Sequence, residues 1–316
     1  MKLTPEHEAL KRTIQRWIAD EINPHVDEWE AAGIFPAHQV FKRMGQLDLL
    51  GLNKPTAYGG MGLDYSYAAV LAETLGEMHC GGVPMAIGVQ TDMATPAFAE
   101  HGSDALCREF LAPAIAGDMV ACLGVSEVGS GSDVASIKTT ARKDGDDYII
   151  NGVKRYISHA DKADFAQVMA ATDRSKGSRG GISCFLVDMN LPGVRITTKY
   201  QTMMGDAPCE IVFDNVRVPA KNRVGEEGEG FKFGQKWLGV GRIKHGARAL
   251  GVAERCLDLA IDYAKQRVTF GKPLSERQAI QFMLVDSYVE LKQARLLVYE
   301  AACKMDAGED TRVDAY

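Results

Sequence analysis

The chain has 316 residues, 46% of them hydrophobic and 25% charged, which allows two or three globular domains with a substantial core. A net charge of −6 and a pI near 5.7 give the surface no general reason to collect nucleic acid or an anionic membrane, so a phosphate-bearing ligand would need a local site. The seven cysteines are widely spaced, with no CxxC or Cys/His cluster, and read as buried free thiols in a reducing compartment; no metal site is expected. The first residues run straight into an amphipathic helix without a signal-peptide core or an Arg-rich transit stretch, and no segment reaches membrane-spanning length. The expectation is a soluble cytoplasmic protein, or one of the mitochondrial matrix if a transit peptide has been removed, with no membrane insertion.

In chain order, Leu10, Ile14, Trp17, Ile18 and Ile22 fall on one helical face, and Pro24 is expected to end that helix. Phe41, Met44 and Leu47 mark a second helix starting near Pro36, Ala68–Leu75 a third, and Ser103 reads as the N-cap of a helix running toward Pro113. From Val120 the pattern becomes short β-rich runs. Ile137–Arg142, Tyr148–Ile150 and Val153–Ser158 are separated by the turn signals Asp144-Gly145 and Asn151-Gly152, and Phe165–Ala171, Ile182–Val187, Val194–Thr198 and Ile211–Phe213 continue an antiparallel sheet. After Phe231, Ile243, Ala247, Leu250, Leu257, Ile261, Ala264 and Val268 recur at helical spacings, as do Ile280, Leu284, Leu291, Ala294, Val298, Ala301 and Met305. These two long helices form a hairpin whose remaining apolar faces need further cover. The fold class is α+β and multidomain: an N-terminal all-α domain (1–119), a central antiparallel β domain (120–230) and a C-terminal long-helix bundle (231–316), the bundle incomplete in this chain.

The segment Gly124-Val125-Ser126-Glu127-Val128-Gly129-Ser130-Gly131-Ser132-Asp133 places glycines and hydroxyls directly after a predicted strand. Glycines let backbone approach a ligand, and N–H groups and hydroxyls can bind its polar edge. On composition alone such a loop is a solvent-exposed connection. As a whole, however, Gly124–Ser136 resembles the signature segment of the acyl-CoA dehydrogenase family. Tyr148-Ile149-Ile150-Asn151-Gly152-Val153-Lys154 and Arg267-Val268-Thr269-Phe270-Gly271-Lys272-Pro273-Leu274 also resemble family sequence, and the resemblance covers essentially the whole chain.

The resemblance implies FAD as cofactor. Val125 and Ser126 would meet the pyrimidine end of the flavin, where oriented donors stabilise charge on the reduced ring. Gly131 and Ser132 would line the adjoining cofactor and acyl-CoA channel. Tyr156 and Ser158 stand where many members carry Trp and Thr beside the flavin; a flat aromatic face and a hydroxyl are both kept. Arg267, Thr269, Phe270, Arg277 and Gln278 match positions that hold the pyrophosphate and adenosine of a neighbouring subunit's FAD, which implies a homo-oligomer, dimer or tetramer. For substrate, the matching positions are Ser132, Leu238 and Arg242, with Gly239 where several members have Asp. Glu127 and Asp133 are expected to brace the loop, and His245 to pack within the bundle.

The implied reaction is flavin-dependent α,β-dehydrogenation of an acyl-CoA thioester, of the kind used in fatty or branched-chain acid oxidation, giving a trans-2-enoyl-CoA and passing electrons to an electron-transfer flavoprotein. No catalytic base is identified. One family position for it directly precedes the helix arginine and is Gly241 here; the commoner one, a Glu, is expected beyond Tyr316. Two alternatives stay open: an acyl-CoA oxidase or flavin monooxygenase of the same fold, and a non-catalytic flavin- or acyl-CoA-binding member lacking the base.

Overall fold

The computed structural model describes residues 3–203 and 207–316. Along the chain run helices α1 (Pro5–Trp17), α2 (Val26–Ala32), α3 (Ala37–Gln46), α4 (Tyr65–Leu75), α5 (Gly82–Gly88), α6 (Pro96–His101), α7 (Asp104–Leu106) and α8 (Ala112–Ala116). Strands β1 (Ala121–Gly124), β2 (Thr140–Asp144), β3 (Asp147–Ile157), β4 (Phe165–Ala171), β5 (Ile182–Asp188), β6 (Val194–Lys199), β7 (Cys209–Pro219) and β8 (Arg223–Val224) follow. Helix α9 (Gly230–Gln266), the short strands β9 (Val268–Thr269) and β10 (Lys272–Pro273), and helix α10 (Gln278–Asp306) complete the order. No helix among the described residues is long and apolar enough to cross a membrane.

The backbone groups into two compact units. The helical unit comprises residues 1–25, 64–79 and 239–316. Here α1 starts on a capping box, Thr4 accepting from the His7 N–H while the His7 ring faces the Thr4 N–H, with Pro5 preorganised at the first helical position. Pro24 does not end the helical path. The chain widens into a π-helical turn, Ile18–Ile22, and tightens into a 3-10 turn, Asn23–His25, which accommodates a ring and a missing N–H that a regular α-helix would not. Tyr65, Ala69 and Val70 of α4 pack with Ile243 and Ala247 of α9 and with Tyr299 and Ala302 of α10. Helices α4 and α9 cross at Gly76 and Gly251, where a Cβ on Gly251 would overlap the Glu73 carbonyl. Arg295 then bridges Glu73 and Glu254, at 2.9 Å to each. The opposite face of α10 stays exposed, with Phe282, Met283, Val285, Tyr288, Leu296 and Leu297 in the open.

The second unit, residues 26–63 and 80–238, holds the sheet, in the order β6-β7-β3-β2-β4-β5-β8 with β1 alongside β4. The sheet is mostly antiparallel, as expected, but β1 and β2 both pair with β4 in parallel. Both faces are covered. On one, Ala166, Val168 and Ala170 of β4 pack with Phe185, Ile211 and Phe213; on the other, Phe165 and Met169 pack with Phe98, Phe110 and Leu186. This two-sided burial explains why β4 is apolar on both faces, with Gln167 its one polar residue and every position buried. Asn151-Gly152, read as a turn, is instead the middle of one long strand. Asn151 faces a bulge at Asp214–Asn215 of β7: its Oδ1 accepts from the Asn215 N–H at 2.8 Å and its amide donates to Asn215 Oδ1 at 3.3 Å. Gly152, at φ 155°, passes against Thr139, where a Cβ would overlap the Thr139 hydroxyl. Here Asn-Gly seals a bulge rather than reversing the chain.

Candidate functional site

The loop after β1 is built around one buried ion pair. Glu127 and Ser130 exchange backbone hydrogen bonds in both directions, at 2.8 and 3.3 Å, closing a tight turn with Val128 and Gly129 at its tip. The Glu127 carboxylate accepts from the Lys138 N–H at 2.6 Å, the Thr139 N–H at 3.0 Å and Lys154 Nζ at 2.8 Å. Lys154 Nζ, fully buried, also donates to the Val125 carbonyl at 2.9 Å. Burial pushes the Lys154 ammonium down to about 8 against the opposing pull of Glu127, while the Lys154 charge and three donors hold Glu127 below its ordinary value despite its own burial. Glu127 therefore braces the loop as expected. Asp133 does so through its carbonyl, which accepts from the Ser130 hydroxyl at 2.6 Å and the Ser136 hydroxyl at 2.9 Å.

These bonds bring two sequence-distant pairs of candidates together. Lys154 Nζ on the Val125 carbonyl and the Arg155 N–H on the Ser126 carbonyl, at 2.8 Å, stitch the loop to the end of β3, where Tyr156 and Ser158 sit. Val125 and Ser126 are half-buried, while Gly131 and Ser132 are exposed and a Cβ on Gly131 would meet open space. The Tyr156 ring is 60% exposed. Ser158 lines a cavity of about 20 Å³ together with Phe35, Met85, His159 and Lys162. Leu238, late in this unit's part of α9, is exposed.

The remaining candidates lie in the helical unit. Arg267, Thr269, Phe270, Arg277 and Gln278 occupy the β9–β10 hairpin and the start of α10. Phe270 and Gly271, at φ 49° and 75°, form the turn, and the Phe270 ring is 98% exposed. A bulky side chain in the left-handed region is costly and persists only where its surroundings fix it. Arg277 Nη2 donates to the Thr269 carbonyl at 2.5 Å and its guanidinium carbon lies 5.9 Å from the Phe270 ring centroid. The Arg242 guanidinium sits 4.1 Å from the Tyr316 ring centroid, and its hydrogen bond and charge lower the Tyr316 hydroxyl. Would-be Cβ atoms on Gly239 and Gly241 meet open space. His245 does not pack in the bundle: it is exposed, its Nδ1 3.3 Å from Arg248 Nη2, because its side of α9 lies away from the buried Ile243–Ala247–Leu250 stripe.

The sequence reading missed Lys154 as the loop's anchor, and Arg155 with Tyr200 as neighbours of Tyr156. A lysine at an inward position of a strand was a signal for the first, since a buried cation needs a carboxylate partner. Nothing local marks the second, because Tyr200 reaches Arg155 only through the β3–β7–β6 pairing.

The donor set suits a flavin: an exposed flat aromatic face, hydroxyls at Ser126 and Ser158 on segments bonded to each other, and a glycine-bearing loop with room beside it. Comparison with known proteins agrees. Residues 4–118, 122–216 and 228–316 match in turn the acyl-CoA dehydrogenase N-terminal, middle and C-terminal domains. The human mitochondrial short-chain specific acyl-CoA dehydrogenase is 36% identical over 97% of this chain and 74% of its own length. A 3-(aryl)acrylate reductase of Clostridium sporogenes is 37% identical over all of this chain and 83% of its own. Butyryl-CoA dehydrogenase of Megasphaera elsdenii superposes with a TM-score of 0.94 at 34% identity, covering 100% of this chain and 83% of that one. A glutaryl-CoA dehydrogenase of Mycobacterium smegmatis, solved with FADH2, superposes at 0.92 with 29% identity, covering 99% and 79%. Identity at this level along nearly the whole chain makes this protein a member of the acyl-CoA dehydrogenase family of oxidoreductases.

Proposed function

We propose that this chain binds FAD and serves the α,β-dehydrogenation of an acyl-CoA thioester to a trans-2-enoyl-CoA, with an electron-transfer flavoprotein as acceptor. The observation that carries this reading is the stitch between the signature loop and the end of β3, which presents Val125, Ser126, Tyr156 and Ser158 from one hydrogen-bonded framework. FAD would supply the hydride acceptor. Ser126 would donate to the polar end of its ring, Tyr156 would support one face, and the Ser158 hydroxyl would stand beside the reacting edge. Such donors need no reorganisation as charge develops, because Lys154 and Glu127 already fix the loop that carries them. Gly131, Ser132, Leu238 and Arg242 would meet the thioester substrate and its CoA tail. Arg267, Thr269, Phe270, Arg277 and Gln278 would hold the pyrophosphate and adenosine of a second subunit's cofactor, a fork-on-phosphate contact. The apolar row left open on α10 offers a face for further helices of the bundle or for a second copy to cover.

No residue of this chain is assigned the α-proton. Gly241, just before Arg242, has no side chain and has room for one. The test is to load the purified chain with FAD and add butyryl-CoA without oxygen. Bleaching of the visible flavin band supports dehydrogenation, and fast reoxidation in air with peroxide release favours an oxidase. A yellow protein that no acyl-CoA bleaches is the base-less binder; in that case Gly241→Glu should raise the bleaching rate by about 100-fold or more, the usual contribution of a placed general base. A rate unmoved by Gly241→Glu would remove that position from the reading. Similarity to the acrylate reductase calls for the same assay in reverse, with reduced flavin and a 2-enoyl substrate.

A further inference from the structure

Tyr156 is held by more than its strand. Its backbone is left-handed, at φ 60°, a region that large side chains avoid. The pairing of β3 with β7 passes from Lys154–Ile211 to Ile157–Cys209, so Arg155 and Tyr156 together oppose Glu210, and this bulge turns the Tyr156 ring outward. The ring lies 4.9 Å from that of Tyr200, centroid to centroid, tilted by 52°. The Arg155 guanidinium carbon stands 5.4 Å from the Tyr156 centroid and 5.1 Å from the Tyr200 centroid. Its Nε donates to the Tyr200 hydroxyl oxygen at 2.6 Å and pairs with Glu210 Oε2 at 3.5 Å, while the Tyr200 hydroxyl donates to the same Oε2 at 3.2 Å. The Glu210 Oε1 is taken by the Thr197 hydroxyl at 2.9 Å.

We infer that Arg155, Tyr200 and Glu210 are positioning residues that fix the exposed Tyr156 ring as a rigid platform and bring a cation over its face, tuning the electron affinity of the flat ligand ring that rests on the other side. This rests on the flavin reading above and deepens it. A strained aromatic residue left free would turn its ring; one packed on Tyr200 and flanked by a guanidinium that is itself tied to a tyrosine and a carboxylate does not. A positive charge behind the platform favours the electron-rich, reduced form of a ring stacked on it.

The test compares the FAD-loaded chain with its Arg155→Gln, Arg155→Lys and Tyr200→Phe variants, measuring the flavin reduction midpoint against a reference dye and the FAD dissociation constant. Arg155→Gln should move the midpoint to lower potential and weaken FAD about threefold, the size of one exposed cation–π contact. Arg155→Lys, which keeps the charge and loses the planar fork, should recover the midpoint and only part of the affinity. Tyr200→Phe keeps the ring and should shift both in the same direction by less; because it removes only a hydroxyl, it also guards against a misfolded arginine variant. A midpoint and affinity unchanged in Arg155→Gln and Tyr200→Phe, beside a wild type that binds FAD, overturns this inference alone. A wild type that takes up no FAD overturns the flavin reading and this inference with it.

Discussion

The signature loop and the β9–β10 hairpin each carry a group of candidate FAD contacts, but the chain supports them differently. The loop is tied into its own unit by Lys154 and Glu127, both nearly devoid of solvent, with bonds to Lys138, Thr139 and strand β3 later in the chain. The hairpin's bonds run to its sequence neighbours: the β9–β10 pairing, Arg277 on Thr269, the Leu274 N–H on the Arg267 carbonyl and the Arg267 N–H on the Tyr263 carbonyl. Its Phe270 ring is bare, and the α10 face that follows is apolar and open. One region is preorganised by its own chain. The other is exposed and held only locally, and under the proposed function it would be completed by another subunit's cofactor.

The largest effect is expected where the loop is broken. Glu127→Ala leaves a fully buried ammonium and two backbone N–H groups without their acceptor, and removing one member of a buried pair costs about 3–5 kcal/mol. Urea unfolding should show that loss, and FAD retention should fall with it because Val125 and Ser126 are released. Lys154→Met should cost less, since it removes the desolvated charge along with the bond. If Glu127→Ala unfolds like wild type, the loop is not held as described.

The same pair gives a pH dependence with a definite sign. Lys154 loses its proton near 8 in the folded chain and near 10.4 when unfolded. Between those values the unfolded state binds more protons, so this group's contribution to stability rises with pH, by roughly 3 kcal/mol at most. Glu127 is held below its ordinary value, so its contribution is present above the usual carboxylate range and is lost as pH falls through its lowered folded value. Both limbs run the same way. Subtracting the urea midpoints of Lys154→Met from those of wild type across pH should isolate a difference that grows from pH 8 to 10; a flat difference would mean that Lys154 is solvated.

Much of this is legible in the amino-acid sequence alone. The periodicity of Ile243, Ala247 and Leu250 declares a helix because burial follows the 3.6-residue repeat, and the apolar residues on both faces of β4, broken only by Gln167, declare a strand covered on both sides. The signature loop announced itself by residue type. What stayed hidden depended on partners far along the chain. Asn151-Gly152 carries a hairpin signal, and only the Asn215 amide across the sheet fixes it as mid-strand opposite a bulge of β7. Pro24 carries a stop signal that a change of helical pitch absorbs. Tyr156 looks like any half-buried strand aromatic until Arg155, Tyr200 and Glu210 converge on it.

The hairpin side of the comparison is the one to sharpen by a smaller change. Arg267 is exposed, so Arg267→Ala removes little from the fold, and urea unfolding should stay close to wild type. If it serves a pyrophosphate, the loss is one charge-assisted contact of about 1.5–3 kcal/mol, a weakening of FAD by roughly 10- to 100-fold. Because the contact would be made to another subunit's cofactor, mixing Arg267→Ala with a Tyr156→Ala variant should recover mixed oligomers containing some intact sites, in which one chain supplies the arginine and the other the platform. Recovery of tight FAD binding on mixing places the two regions in one site built from two chains. Equal weakness in the mixture and in each parent would confine any FAD site to a single chain, and the exposed Phe270 would then need another explanation.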